Sequence, residues 1–230
     1  MNTAQDPLEA VAGKALEFIE PGQVVGLGTG RAAAAFIRKL GAKVRGGFAI
    51  RGIPTSQASE QLAREWGIPL TNFAETASID VAVDGADEVD PDGNLIKGLG
   101  GALLREKVVA SSSQKFVVLV GAEKKVVKLG DRGKLPVEIV PFAFDTCRRR
   151  IRELGLETVV RGSEGQPFVT DNGNYILDCQ TRGMERPEKL EEALRGIPGV
   201  VGTGLFLGMA DVVLIGHPDH VEVLQTKKAW

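Results

Sequence analysis

The feature that most constrains this chain is a regular alternation of short apolar strands with helical stretches over its first half. Leu8, Val11, Ala12, Ala15, Leu16 and Ile19 recur at helical spacing and predict an amphipathic helix that ends at Pro21-Gly22. Residues 23–27 read as a buried strand, Gly28-Thr29-Gly30 as a turn, and the alanine-rich stretch 31–40 as a helix. Residues 48–51 (strand), 56–66 (helix, capped by Thr55 or Ser56), 79–83 (strand), 102–110 (helix) and 116–120 (strand) continue the pattern. Strands and helices at this spacing predict an α/β protein with a mainly parallel sheet covered on both faces.

The rhythm changes after about Gly130. Residues 137–140 (strand), 145–154 (helix), 157–161, 168–170 and 175–179 (strands), 187–194 (helix) and 200–206 (strand) follow in order. Asp171-Asn172-Gly173 marks a hairpin, because such a turn needs positive φ. The order βαββαβ is the split βαβ arrangement of ferredoxin-like α+β domains. Residues 211–215 are one more apolar strand, assigned back to the first sheet. The expectation is therefore a first domain of residues 1–130 plus 207–230, with residues 131–206 inserted as the ferredoxin-like domain. The glycine-rich flanks, Gly130 and Gly133, then Gly202 and Gly204, suit the crossings.

Composition narrows the function. Lys and Arg number 28 against 30 Asp and Glu, so the formal charge of −2 leaves no footprint for nucleic-acid binding. No apolar run approaches the ~18 residues of a membrane span. The N-terminal stretch lacks a basic region followed by an apolar one, so a cytoplasmic protein is expected. Cys147 and Cys179 give neither a disulfide framework nor a zinc pair spacing. Charge is also unevenly spread. Seven acids and no base lie between Trp66 and Ile96, then nine bases and three acids from Lys97 to Leu135. Both signs would converge on a crevice at strand C-termini, where open α/β sheets bind ligands.

Three motifs carry chemistry. In Gly26-Leu27-Gly28-Thr29-Gly30-Arg31 a strand runs into a helix, so backbone N–H groups and the helix dipole favour an anion. A dinucleotide fingerprint would need a small residue at 31 and an acid about 20 residues on, and a phosphate loop of the Walker type would need Gly-Lys-Ser/Thr; neither is present. A tight βα turn with no ligand is the competing reading. In Asp84-Gly85-Ala86-Asp87-Glu88 two aspartates stand at a strand end, whereas Asp90-Pro91-Asp92-Gly93-Asn94 reads as an exposed turn. An EF-hand alignment starting at Glu88 fails because its twelfth position is Leu99. In Lys97-Gly98-Leu99-Gly100-Gly101-Ala102, a cation and free amides precede a helix, and Glu106 falls one turn into it, facing back toward the loop. A first-turn acid serving only the helix dipole is the alternative. A carboxylate base with donors for an enolate oxygen is what proton transfer beside a carbonyl requires. His217 and His220 lack a third ligand nearby and read as a surface loop, and no Gly-x-Ser-x-Gly elbow is present.

The runs GLGTG, DGADEVD, KGLGGALLREK, LPVEIVPFA, TDNGNYILD and PGVVGTGLFLGMADVVLIG resemble those of the type A ribose-5-phosphate isomerase family, in the same order and over nearly the whole chain. The resemblance implies a Rossmann-like domain carrying an inserted ferredoxin-like domain. It also implies interconversion of D-ribose 5-phosphate and D-ribulose 5-phosphate, without metal or organic cofactor, in a homodimer or homotetramer. By position, Glu106 matches the base that moves a proton between C1 and C2 through a cis-enediolate. Asp84 and Asp87 match the acids that open the furanose and hold hydroxyls, with Gly85 and Ala86 between them in contact with substrate. Lys97 with the amides of Gly98, Leu99 and Gly100 matches the oxyanion site, Thr29, Gly30, Arg31 and Ala32 the substrate loop, and Lys124 a substrate-binding lysine.

Three departures stand out. Arg31-Ala32 replaces Ser-Thr after GTG, Leu99 replaces a glycine, and lysines common near Leu8 and Glu9 are absent. Arg31 would offer phosphate a charged fork in place of two hydroxyls. The alternatives are a non-catalytic sugar-phosphate sensor, an isomerase of a different sugar phosphate, or a CoA-transferase-like enzyme with a carboxylate nucleophile. A sensor coupled to DNA would need a reading domain, for which residues before Gly22 leave no room.

Overall fold

The structure, a computed structural model, describes residues 6–163 and 165–226. Residues 1–5 and 227–230, the two ends of the first expected domain and part of the stretch read for a leader, lie outside the described residues. In chain order the elements are α1 (Pro7–Ala15), β1 (Val24–Leu27), α2 (Arg31–Arg45), β2 (Arg51–Pro54), α3 (Gln57–Glu65), β3 (Ile79–Gly85), β4 (Glu88–Val89), β5 (Leu95–Ile96), α4 (Leu103–Ser111) and β6 (Ser113–Gly121). There follow β7 (Lys134–Ile139), α5 (Phe144–Glu153), β8 (Thr158–Val160), β9 (Gly162–Ser163), β10 (Gln166–Pro167), β11 (Tyr175–Gln180), α6 (Pro187–Arg195), β12 (Val200–Thr203), β13 (Leu205–Phe206), β14 (Val212–Gly216) and β15 (Val221–Gln225).

The chain divides into two compact units. One comprises the residues up to Ala86, Arg105–Lys124 and those from Gly208 onward; the other comprises Asp87–Leu104 and Lys125–Leu207. The first is built on a six-stranded sheet in the order β15-β14-β6-β3-β1-β2. Its strands run parallel except for β15, which pairs antiparallel with β14 at one edge. The interior strands read as continuous apolar runs because a parallel sheet is buried on both faces. Val25, Leu27, Val83, Val117, Leu119 and Leu214 pack with Val11 of α1 and Phe36 and Leu40 of α2 in one apolar cluster. Gly26 is required where β1 passes α4: a Cβ there would meet Val109 Cγ1 at 2.5 Å.

The second unit contains a four-stranded sheet ordered β12-β7-β11-β8, antiparallel throughout. With α5 after β7 and α6 after β11, this is the split βαβ arrangement expected from the sequence. Leu135, Val137, Ile139, Leu177 and Cys179 bury one face with Cys147, Ile151 and Leu194 from the helices. Residues 87–104, placed by sequence in the first domain, group with this unit, because β4 and β5 form a three-stranded sheet with β13.

Several expected elements differ. The strand expected at 48–51 is Arg51–Pro54, since its register with β1 runs Val24 to Arg51 through Leu27 to Pro54. The close approach of that pairing is hidden by Gly52, whose Cβ would lie 2.6 Å from Leu27 Cδ1. The first helix tightens to a 3₁₀ turn over Leu16–Phe18. The expected strand 200–206 is broken at Gly204, whose N–H donates to the Pro136 carbonyl while its own carbonyl accepts from Lys97 N. Residues 168–170 are not a strand, although the Asp171-Asn172-Gly173 turn is present, with Gly173 at φ 78° and Thr170 N donating to Asn174 O. Among the described residues, no helix is long and apolar enough to cross a membrane.

Candidate active site

In the first unit β1, β3 and β6 are parallel neighbours, so their C-terminal ends fall on one edge of the sheet. That edge carries the Thr29 turn after β1, Asp84 and Gly85 at the end of β3, and Lys124, half-buried in the 3₁₀ turn after β6. Strand C-termini are where open α/β sheets place ligands. Asp84 is buried, and its Oδ1 accepts from Thr29 N (2.9 Å) and Gly85 N (2.7 Å). Gly28 makes that possible: a Cβ at 28 would sit 2.2 Å from Asp84 Oδ1 and 2.6 Å from Asp84 Cα.

The turn leads into α2 through Gly30, whose φ of 100° and ψ of −176° favour glycine. No side chain caps α2 at that residue, leaving first-turn amides for another acceptor. Arg31, the first helical residue, is exposed and lines with Thr29, Gly30, Ser59, Gln61 and Glu65 a cleft of about 500 Å³. Ala32 follows it, buried in the helix.

A hydroxyl cluster behind the turn was not singled out from sequence as part of a site. Thr29 Oγ1 lies 2.7 Å from Thr55 Oγ1, 2.8 Å from Ser56 Oγ and 3.1 Å from Ser59 Oγ. Ser59 Oγ donates to Gly28 O (2.6 Å) and Thr55 Oγ1 to Leu27 O (3.1 Å), tying the turn to α3. Ser56 is the α3 cap, accepting from Ser59 N (3.0 Å). The available signal was Pro54-Thr55-Ser56 with a third hydroxyl three residues on, a pattern explained by capping alone.

Glu106 lies in the first turn of α4 and is buried. It lines a small void together with Asp84, Gly26, Gly28, Thr55, Val109 and Phe116. The structure thus brings two of the carboxylates singled out from sequence, Asp84 and Glu106, onto one void. Apart from Thr55, the other residues lining it carry no polar side chain.

The remaining candidates, Ala86 apart, belong to the second unit. Lys97 is 2 % exposed, and its ammonium lies 5.5 Å from the centroid of Phe206. The loop behind it turns at Gly98 (φ 97°) and Gly101 (φ 87°). Asp87 Oδ2 accepts the Leu99 N–H at 3.0 Å, so that amide is already engaged. Leu99 itself adopts no positive φ and its side chain is 44 % exposed, so replacing glycine there leaves the loop path undisturbed. Ala86 is half-buried at the end of the first unit.

Of the other acids, Glu88 accepts Gly130 N (2.6 Å) and Arg132 N (3.0 Å), and burial pushes its carboxyl above the usual range. Its task is anchoring the Gly130 turn. Asp90 Oδ1 accepts from Asp92 N and Asn94 N, closing the turn expected there. His217 pairs with Glu222 and His220 with Asp219, each at 2.9 Å, with the two rings stacked at 4.4 Å.

Fold and residues together define a class: an α/β protein with a Rossmann-like parallel sheet, a ferredoxin-like domain, an uncapped helix at a glycine turn, and buried carboxylates beside it. Within that class, residues 51–220 match the family model described as ribose 5-phosphate isomerase A (phosphoriboisomerase A). The chain is 49 % identical over 221 residues to ribose-5-phosphate isomerase A of Roseiflexus castenholzii, covering 95 % of this chain and 94 % of the relative. It is 46 % identical to that of Gloeobacter violaceus, covering 96 % of each. Among solved structures, ribose 5-phosphate isomerase A of Methanocaldococcus jannaschii superposes with a TM-score of 0.91 at 40 % identity, over 96 % of this chain and 99 % of that one. A D-ribose-5-phosphate isomerase in complex with phospho-erythronic acid superposes with a TM-score of 0.92 at 39 % identity, over 98 % of this chain and all of that one. The chain belongs to the ribose 5-phosphate isomerase A family.

Proposed function

We propose that the chain interconverts D-ribose 5-phosphate and D-ribulose 5-phosphate, with Glu106 moving the proton. The carrying observation is that Glu106 and Asp84 line one small void with Gly28, the residue that opens the glycine turn before α2. Starting from the aldose, the Glu106 carboxylate takes the proton from C2. The C–H electron pair forms the C1–C2 double bond, and the C1 carbonyl electrons move to O1. The resulting cis-enediolate collapses as Glu106 returns the proton to C1 and O2 becomes the ketone, its hydroxyl proton passing to O1.

Each remaining residue has a role in this scheme. Lys97 and the amides of Gly98, Leu99 and Gly100 offset the charge developing on O1; the Leu99 amide joins them once Asp87 releases it to hold a sugar hydroxyl. Asp84 and Asp87 serve ring opening and the hydroxyls, flanked by Gly85 and Ala86. The first-turn amides of α2 with Thr29, Gly30, Arg31 and Ala32, joined by Lys124, hold phosphate, Arg31 supplying the charged fork. A relative's complex with phospho-erythronic acid, a phosphorylated four-carbon acid whose carboxylate imitates the enediolate, supports a substrate of this size and charge. The same reading includes a homodimer or homotetramer acting in the cytoplasm without metal or organic cofactor.

The test is conversion of ribose 5-phosphate by purified protein in EDTA with nothing else added. Accumulation of ribulose 5-phosphate to a fixed ratio from either side is expected. Saturable sugar-phosphate binding with no conversion would replace the enzyme by a sensor.

A further inference from the structure

The glycine loop that the proposed mechanism relies on is intrinsically loose. Three of the four residues from 98 to 101 are glycines, two with positive φ, so their peptide planes can rotate at little steric cost. Within the second unit, however, one side chain holds two of those planes. Arg161, at the end of β8, donates from Nη1 to the carbonyl of Gly98 (2.8 Å) and to that of Leu99 (3.1 Å). The guanidinium is itself fixed from behind: Nε donates to Asp178 Oδ2 at 3.0 Å, and Nη2 is bound to Asp178 Oδ1. Both side chains are largely buried, 14 % and 12 % exposed. This is the two-pronged geometry that an arginine provides and a lysine does not.

We infer that Arg161 is a positioning residue for the reaction, fixing the glycine loop so that its amides are set for the developing oxyanion. In a trans peptide the carbonyl and the next N–H point in opposite directions. Gripping the Leu99 carbonyl therefore turns the Gly100 N–H away from Arg161, and that N–H has no partner among the described residues. Gripping the Gly98 carbonyl likewise turns the Leu99 N–H away, where Asp87 Oδ2 receives it. Arg161 and Asp87 thus hold opposite edges of one peptide. A third anchor is Phe168, whose ring lies where a Cβ on Gly101 would be, 2.6 Å from two ring carbons. The turn after Phe168 is pinned in turn by buried Glu138, whose Oε1 accepts from Thr170 Oγ1 (2.9 Å), Asn172 Nδ2 (3.2 Å) and Asn174 Nδ2 (2.9 Å). Preorganised donors stabilise a transition state because they need no reorientation as charge develops. Arg161, Asp178, Phe168 and Glu138 therefore contribute to rate without themselves touching substrate.

The inference rests on the isomerase reading, and the experiment separates the two. Arg161→Ala and Asp178→Asn are measured for kcat and KM on ribose 5-phosphate and for inhibition by phospho-erythronic acid, alongside Glu106→Gln. For Arg161→Ala we expect kcat to fall about 10- to 100-fold with KM within threefold. The inhibition constant of phospho-erythronic acid should rise in step with the loss of kcat, because both depend on the same amides. Dilute guanidinium chloride, far below denaturing concentration, should restore part of the rate to Arg161→Ala and none to Glu106→Gln. Asp178→Asn should show a smaller loss of the same kind. Unchanged kcat, a loss carried entirely by KM, or an inhibition constant that stays at the wild-type value would each overturn the role of Arg161. If Arg161→Ala does not fold, Arg161→Lys is read by the same criteria, with an intermediate loss expected. Wild-type turnover in Glu106→Gln would instead overturn the isomerase mechanism, whatever Arg161 does.

Discussion

Gly28→Ala is a sharp test of how the site is built, because the three atoms nearest the added methyl all belong to Asp84. Gly28 has no positive φ, so alanine is compatible with its backbone. Its Cβ would nevertheless lie 2.6 Å from Asp84 Cα, about 0.8 Å inside the 3.4 Å at which ordinary contacts begin, and 2.2 Å from Asp84 Oδ1. A carboxylate can rotate aside, but a Cα cannot, so β3 must shift relative to β1 or the turn must open. Overpacking of this kind costs roughly 1–3 kcal/mol, equivalent to a Tm drop of about 2–12 °C for a chain of this length. The same shift pulls Asp84 Oδ1 from Thr29 N. A misplacement near 1 Å at a reacting site lowers kcat/KM by about 100-fold. Thermal unfolding followed by circular dichroism and a coupled ribulose 5-phosphate assay would read both effects. Wild-type Tm together with wild-type kcat/KM would refute the claim that Gly28 sets the position of Asp84.

Other positions give contrasting outcomes. Gly13 lies inside α1 with open space around its Cβ position, so Gly13→Ala should raise stability by about 0.5–1 kcal/mol and leave turnover unchanged, as measured by urea unfolding. Burial, with Asp178 beside it, pushes the Cys179 thiol to about 12, and burial also raises that of Cys147. At pH 8 neither should react with an aromatic disulfide reagent until the protein is unfolded, when two thiols should appear. Because the folded values exceed the unfolded ~8.5, this contribution to stability is complete below pH ~8.5. It is lost as pH rises from there toward 12, so Tm should fall across that alkaline window. Arg31→Ala should weaken binding of ribose 5-phosphate by about 10-fold or more while leaving unphosphorylated ribose unaffected, which isothermal calorimetry would read.

Much of the architecture follows from local pattern. The alternation of apolar runs with helices predicts the parallel sheet, and the βαββαβ order with Asp171-Asn172-Gly173 predicts the second sheet. These signals are readable because they repeat over many residues. What sequence leaves hidden is set by single long-range contacts. Gly204 ends a strand because its backbone serves both Pro136 and Lys97, and β5 is a two-residue strand that joins β4 beside it to β13 more than a hundred residues on. The candidate site divides the same way. Glu106, Lys97 and the aspartates stand out because a glycine loop, a cation and acids are adjacent in sequence. Arg161 and the Thr55, Ser56 and Ser59 hydroxyls do not, since a lone arginine at a strand end or a capping serine has a common structural explanation until its partners are in place.

The central claim is that Glu106 is the group that carries the proton. The most direct measurement is exchange of the C2 hydrogen of ribose 5-phosphate with solvent deuterium, followed by proton NMR in EDTA for the wild type and Glu106→Gln. The account predicts exchange and ribulose 5-phosphate formation by the wild type. In the variant it predicts loss of both by about 10²- to 10⁴-fold, the contribution of a positioned acid–base group, with phospho-erythronic acid still bound. Exchange at the wild-type rate in Glu106→Gln would contradict it.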